Sequence, residues 1–215
     1  MKRINSKIVI VSLLALALGV AVFAAQAQAP ISSEDSGKEE TSFGDLLADA
    51  IRSAAEADAA MVAAVSCKPG TIPAGAVSQQ DLQSLLQNPS EVWAVSKLTG
   101  QQILDAMEKS LSRLPGTNSG FLQISGMQVT YDADGERNSR VQSVTINGSP
   151  LDPSAEYSVA MPLSLAKGGS GYFTVFDATD ISGAPSRQSL LGALVEYVNE
   201  VGTLNYSGQE RLIAQ

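Results

Sequence analysis

Three stretches between residues 42 and 111 carry apolar residues at helical spacing, and three between 121 and 161 carry them at the spacing of strands. This partial segregation most narrows what the chain can fold into. The first stretch predicts a helix starting at Ser42, with Asp45 completing a capping-box-like start and Phe43, Leu46, Leu47, Ala50, Ile51 and Ala54 on one face. The small-residue run Ala59 to Val65 fits a buried strand, and the Pro/Gly-rich residues 68–75 fit a loop. A short helix is expected from Ser78, with Asp81 three residues on and Leu82, Leu85 and Leu86 inward, until Asn88-Pro89-Ser90 breaks it. Val92 to Val95 suggests a strand. Thr99 and Gln102 then cap a third helix with Ile103, Leu104, Met107 and Leu111 as its stripe, ended by Pro115-Gly116.

Strands are expected over residues 121–131, 140–146 and 157–161, with turns at 132–137 and Asn147-Gly148. A glycine loop, Gly168-Gly169-Ser170-Gly171, follows, and residues 187–201 complete the chain's helices with Leu190, Leu191, Leu194, Val195 and Val198 inward. The pattern predicts an α+β domain, a mixed β-sheet with flanking helices, over residues 42–215.

Residues 1–27 read as a signal peptide. Lys2, Arg3 and Lys7 precede an apolar run from Ile8 to Ala25, and two small-x-small sites follow, at Ala25-Gln26-Ala27 and Ala27-Gln28-Ala29. Pro30 would directly follow the second cut, so cleavage after Ala27 is the expectation. An uncleaved anchor is the other reading, because the run approaches the ~20 residues that span a bilayer. Either way the domain is expected outside the cytoplasm, periplasmic or extracellular, with membrane contact only in the anchored case. Residues 28–41 are polar and aperiodic and read as a flexible linker.

Without residues 1–27 the chain keeps 11 of its 14 Lys+Arg and all 22 Asp+Glu, a net charge of −11. Such a surface repels nucleic acid and anionic membranes. Cys67 has no cysteine to pair with in the chain and is expected to be buried. The chain has no histidine. That excludes Ser-His and Cys-His catalytic sites and histidine-liganded metals, and removes the commonest general base near neutral pH. Carboxylate-only hydrolysis remains open in principle, but no motif supports it. No catalytic residue, metal site or cofactor is assigned. Asp132-Ala133-Asp134-Gly135-Glu136 superficially suggests a calcium loop but lacks that motif's later ligands and suits a turn better.

Five segments, in order, carry a resemblance. They are Ser42-Phe43-Gly44-Asp45-Leu46-Leu47-Ala48-Asp49-Ala50, Leu98-Thr99-Gly100-Gln101-Gln102-Ile103-Leu104, Gly120-Phe121-Leu122-Gln123-Ile124-Ser125-Gly126, Tyr131-Asp132 with Val144 to Leu151, and Gly168-Gly169-Ser170-Gly171-Tyr172. The chain resembles the C-terminal, substrate-recognition domain of the 5'-nucleotidase and UDP-sugar hydrolase family, whose patterns there include S-x-G-N-L-x-A-D-A, L-T-G-x-x-L, G-F-L-Q-x-S-G and G-G-D-G-Y. The resemblance implies a domain that stacks a nucleobase between two aromatic rings. It also implies a partner two-metal phosphoesterase domain, of which these residues contain nothing recognisable.

The positions that would hold the nucleoside have changed. The family's N-G-G-G-I-R loop falls on residues 63–68, leaving Lys68 for the arginine, which keeps the charge but loses the bidentate fork. Pro89 and Ser164 stand where the two stacking rings are expected, and Ser170 where an aspartate is expected. Losing two rings costs on the order of 2–6 kcal/mol at ~1–3 kcal/mol each. The groups left to build another site are Lys68, Trp93, Gly168, Gly169, Ser170, Gly171 and Tyr172. For each the plainer reading is structural: a surface lysine, a buried ring, or a tight turn. Three functions compete. One is a non-catalytic exported module that binds a small ligand or a protein. Another is an accessory subunit serving a separate metallophosphatase in nucleotide breakdown. The third is a carboxylate- or Ser/Lys-based enzyme.

Overall fold

The computed structural model describes residues 25–215. A mixed four-stranded sheet divides its interior. In order across the sheet lie Trp93–Thr99, Glu156–Pro162, Ala59–Ala63 and Leu122–Ser125. The pair Glu156–Pro162 and Ala59–Ala63 is parallel, and the two outer pairings are antiparallel. Side chains of Ala59–Ala63 alternate between two cores. Ala59, Met61 and Ala63 enter one, Ala60 and Val62 the other. The sheet is buried on both faces, which is why this strand reads as a continuous apolar run.

On one face lie the helices Ser42–Ala55 and Leu190–Val201, which contribute Phe43, Leu46, Leu47, Ile51, Leu190 and Leu194. On the other lies Gly100–Leu111 through Ile103, Met107 and Leu111. A second four-stranded sheet shares that core, in the order Ser149–Pro150, Val141–Ile146, Met127–Tyr131, Leu212–Ala214. Gly126 moves the chain between the sheets at φ +74°, and a Cβ there would overlap the Asp58 carbonyl. The single strand expected over residues 121–131 is therefore two strands, in different sheets.

Other boundaries moved by less. Thr41, not Ser42, caps the first helix, accepting the Gly44 N–H. The strand expected to reach Val65 ends at Ala63, where Ala64–Ser66 makes a 3₁₀ turn. The strand expected at Val92–Val95 runs from Trp93 to Thr99, and its outer edge is covered by the chain near residues 180–186. The expected 68–75 loop holds two short strand pairings, at Thr71–Ile72 and Gly75–Ala76. The last helix starts at Leu190 with Ser189 as its cap.

The largest correction concerns residues 28–41. Expected as a flexible linker, they pack on the domain. Ile31 is buried, and Ile31–Ser32 pairs with Thr71–Ile72. Ser33 is fully buried and donates to the Lys68 carbonyl. Gln123 holds the rest of the segment. Its amide donates to the Ser36 and Glu39 carbonyls at 2.9 and 2.8 Å, and its oxygen accepts from the Thr41 backbone and hydroxyl. The segment is ordered by hydrogen bonds to the domain more than by apolar burial, so its composition concealed it.

Most of the expected signal segment lies outside the described residues. Its last three do not. Ala25 and Ala27 are buried, and Gln26–Ala27 forms the middle strand between Thr203–Leu204 and Gly75–Ala76. Cleavage after Ala27 would remove that strand. Among the described residues no helix is long and apolar enough to cross a membrane.

Candidate functional site

The positions where a nucleoside would sit come together at one end of the central sheet. Leu163 N–H donates to the Val92 carbonyl, and Ser164 N–H donates to Glu91 Oε1 at 3.0 Å. The Pro89 and Glu91 carbonyls accept the first N–H groups of the helix Leu190–Val201. The two expected ring positions, Pro89 and Ser164, thus flank a Glu91 side chain that caps its neighbour's backbone. The surface holds a carboxylate and two side chains without a π-face. That arrangement repels phosphate, and neither of the two expected positions offers a base a ring to stack on.

The glycine loop is used within the fold. Gly168 adopts φ +82°, and a Cβ there would lie 2.6 Å from Phe173 Cα. A Cβ on Gly169 would lie 2.6 Å from the Ser164 carbonyl oxygen. Ser170 has a left-handed backbone at φ 55°, and its carbonyl packs on Gly120. Tyr172 is fully buried. Its hydroxyl donates to the Gly120 carbonyl at 2.7 Å and its ring stacks on Phe176 at 5.2 Å. Ring and hydroxyl both have partners inside the core. Trp93 is half-buried against the second core, and its indole N–H is buried without a hydrogen-bond partner. Lys68 is exposed and lines a different cavity, of about 600 Å³, with Gln79, Gln80, Gln83 and Ser84. The candidates Gly168 to Tyr172 are therefore adjacent, whereas Lys68 faces its own hollow. Cys67 is buried, and burial pushes its thiol up to about 12, so it is not a nucleophile near neutral pH.

The glycines and polar residues of the recurring motifs also serve one another. A Cβ on Gly44 would overlap the Gln123 amide, so the first motif's glycine makes room for the third motif's glutamine. Asp49 of the first motif accepts from the Ser125 hydroxyl of the third at 2.5 Å. Thr99 and Gln102 form a full capping box, while Gly100 lies against the Asp152 carbonyl with no space for a Cβ.

Sequence reasoning missed a cluster built on this lock. Arg211 forms a two-pronged ion pair with Asp49, each contact 2.8 Å. Tyr206 donates to Asp49 at 3.0 Å. Glu40 accepts the backbone N–H groups of Arg211 and Leu212. Asp45 lies among them, almost fully buried. Burial pushes its carboxyl up to about 9; Arg211 opposes this, and Glu40 and Asp49 add to it. The available signal was Asp45 itself, a carboxylate where the resembling pattern has asparagine.

Comparison with known proteins agrees with this architecture. Residues 20–178 match the family model "5'-nucleotidase, C-terminal domain". The chain belongs to that family. A 5'-nucleotidase precursor from Thermus thermophilus has the same fold, with a TM-score of 0.80 and 25% identity over 89% of this chain and 39% of that one. An apyrase of Aedes albopictus is 27% identical over 117 residues, and a snake venom 5'-nucleotidase of Naja atra 26% identical over 126. The chain spans only 21% and 23% of the length of those two relatives. Family membership is consistent with a substrate-recognition module.

Proposed function

We propose that this chain is an exported, non-catalytic recognition module of the 5'-nucleotidase family that no longer binds nucleosides. The observation carrying this is the end of the central sheet, where Glu91 caps Ser164 beside Pro89 and both ring positions lack a ring. The absence of histidine in the sequence supports the non-catalytic part. The charge and apolar pattern before Ala25 supports export. Processing ahead of Ala25, instead of after Ala27, is the reading that the buried strand at Gln26–Ala27 supports, since a later cut would remove that strand.

Isothermal titration tests the reading. AMP, adenosine and UDP-glucose should bind more weakly than about 1 mM, or roughly −4 kcal/mol. With divalent metals present, phosphate release from AMP should not exceed that of a heat-killed control. Micromolar nucleoside binding overturns the proposal.

A second reading has its own observation. Phe173 is 74% exposed directly after the glycine loop, and Val65 is 48% exposed in the turn whose backbone bonds to Ser119. Exposed large apolar residues suit a protein contact. In this reading the domain serves a metallophosphatase partner. Co-purification with an orphan metallophosphatase, lost on Phe173→Ser, would favour it.

A further inference from the structure

A cavity of about 460 Å³ opens beside the first helix, lined by Glu39, Glu40, Asp45, Tyr131, Tyr206 and Glu210 among others. It shares no residue with the altered nucleoside positions. Among the described residues no lysine or arginine lines it. Acidic lining alone would mean little, but Asp45 supplies a second observation. It is 2% exposed, and its Oδ1 has no hydrogen-bond partner. Arg211 Nη1 lies 3.8 Å from that oxygen, beyond hydrogen-bond reach. The guanidinium is engaged elsewhere. Nη1 donates to Asp49 and the Ile124 carbonyl, and Nη2 to Asp49 and Gln209. Those four bonds account for the four N–H groups on the two terminal nitrogens.

We propose that this cavity binds a small aliphatic amine in its ammonium form, with Asp45 as the buried acceptor and Glu39, Glu40 and Glu210 supplying the surrounding negative field. The volume lies within the ~300–1,000 Å³ of small-molecule pockets. A hard metal cation fits less well. Both Glu40 oxygens already accept backbone N–H groups, and no three ligating side chains gather among the described residues. An ammonium needs only acceptors within hydrogen-bond reach of a compact head, and tyrosine walls suit its charge. The charged and titratable groups around Asp45 are Arg211 from the C-terminal segment, Glu40 from the segment before the helix, and Asp49 one turn along it. Without ligand, burial and the neighbouring Glu40 carboxylate favour the protonated form of Asp45, against Arg211. An entering ammonium takes the place of that proton, which leaves to solvent. Affinity should therefore rise with pH, by up to about tenfold per unit, until the carboxyl titrates or the amine loses its own proton.

The test is isothermal titration of the chain with putrescine, with 1,4-butanediol as the uncharged isostere. Putrescine should bind with a sub-millimolar Kd, more tightly at about pH 8.5 than at about pH 6.5, and butanediol should not bind. Asp45→Asn should weaken putrescine at least tenfold while melting no lower than the parent, which separates lost binding from lost folding. No binding by the parent up to about 10 mM, equal binding of butanediol, or equal affinity in Asp45→Asn each overturns the proposal.

Discussion

The two ends of the central sheet have kept different things. Around Leu122–Ser125 the polar side chains of the family motifs hold one another, with Gln123 on the 36–41 segment and Asp49 on Ser125, Tyr206 and Arg211. Around Pro89, Ser164 and Ser170 the expected ligand groups are replaced, and the Glu91 carboxylate accepts the exposed Ser164 N–H. The first region is buried and, Asp45 apart, satisfied by hydrogen bonds, whereas the second is exposed. The difference teaches that most of this family's recurring residues belong to the fold. On the proposed reading, a chain can give up the nucleoside site and still keep the motifs that hold its fold.

That contrast can be broken most severely at the first region. Deleting residues 28–41 removes Ile31, the Ser33 contacts, the Thr41 cap and the Gln123 partners Ser36, Glu39 and Thr41 at once. Loss of cooperative unfolding, followed by circular dichroism, is expected. An unchanged melting temperature would show the packing to be dispensable. Arg211→Leu should come next, at about 3–5 kcal/mol by denaturant titration, because it strands the partly buried Asp49 charge. Gln123→Ala should cost about 2–3 kcal/mol, leaving the Ser36 and Glu39 carbonyls and the Thr41 N–H without their partner.

Asp45→Asn sharpens the comparison inside the first region. The folded carboxyl sits near 9 against an ordinary value of 3.8, so between those values the native state holds an extra proton. Stability contributed by that proton is complete below about pH 4 and is lost as pH rises towards 9. Asparagine does not titrate. The variant should match the parent at low pH and exceed it progressively up to about pH 9, by up to about 1.4 kcal/mol for each pH unit. Melting temperatures taken across that range check the sign; a parent that stabilises with rising pH relative to the variant contradicts it.

The layers and most elements were legible because periodicity and caps are local: Thr99 with Gln102 marks a helix start within four consecutive residues. The resemblance was legible for the same reason, since its motifs are short and ordered. The 28–41 segment was not, because its order depends on Gln123, more than 80 residues away. Nor could spacing reveal that residues 121–131 change sheets, since alternation continues across Gly126. The altered nucleoside positions were readable individually. Their closure by Glu91 was not, because it joins segments 73 residues apart. Tyr172 illustrates the general limit: a tyrosine after a glycine loop reads alike whether its hydroxyl meets a ligand or, as in this chain, the Gly120 carbonyl.

The smallest expected effect is at the second region, and it is the sharpest test of the contrast. Glu91 makes one side-chain hydrogen bond there, to the Ser164 N–H, and that residue is exposed. Water can replace the carboxylate, so the net loss on Glu91→Ala should be under about 1 kcal/mol. Folding should not notice, and the variant should still bind AMP more weakly than about 1 mM. Removing the charge lessens phosphate repulsion but restores no ring at Pro89 or Ser164, and stacking is the larger missing contribution at ~1–3 kcal/mol per base. A drop above about 2 kcal/mol would show that this end is held as firmly as the other, and the contrast between the two ends would fail. Micromolar AMP binding in the variant would show that one carboxylate, and not the missing rings, keeps nucleotides out.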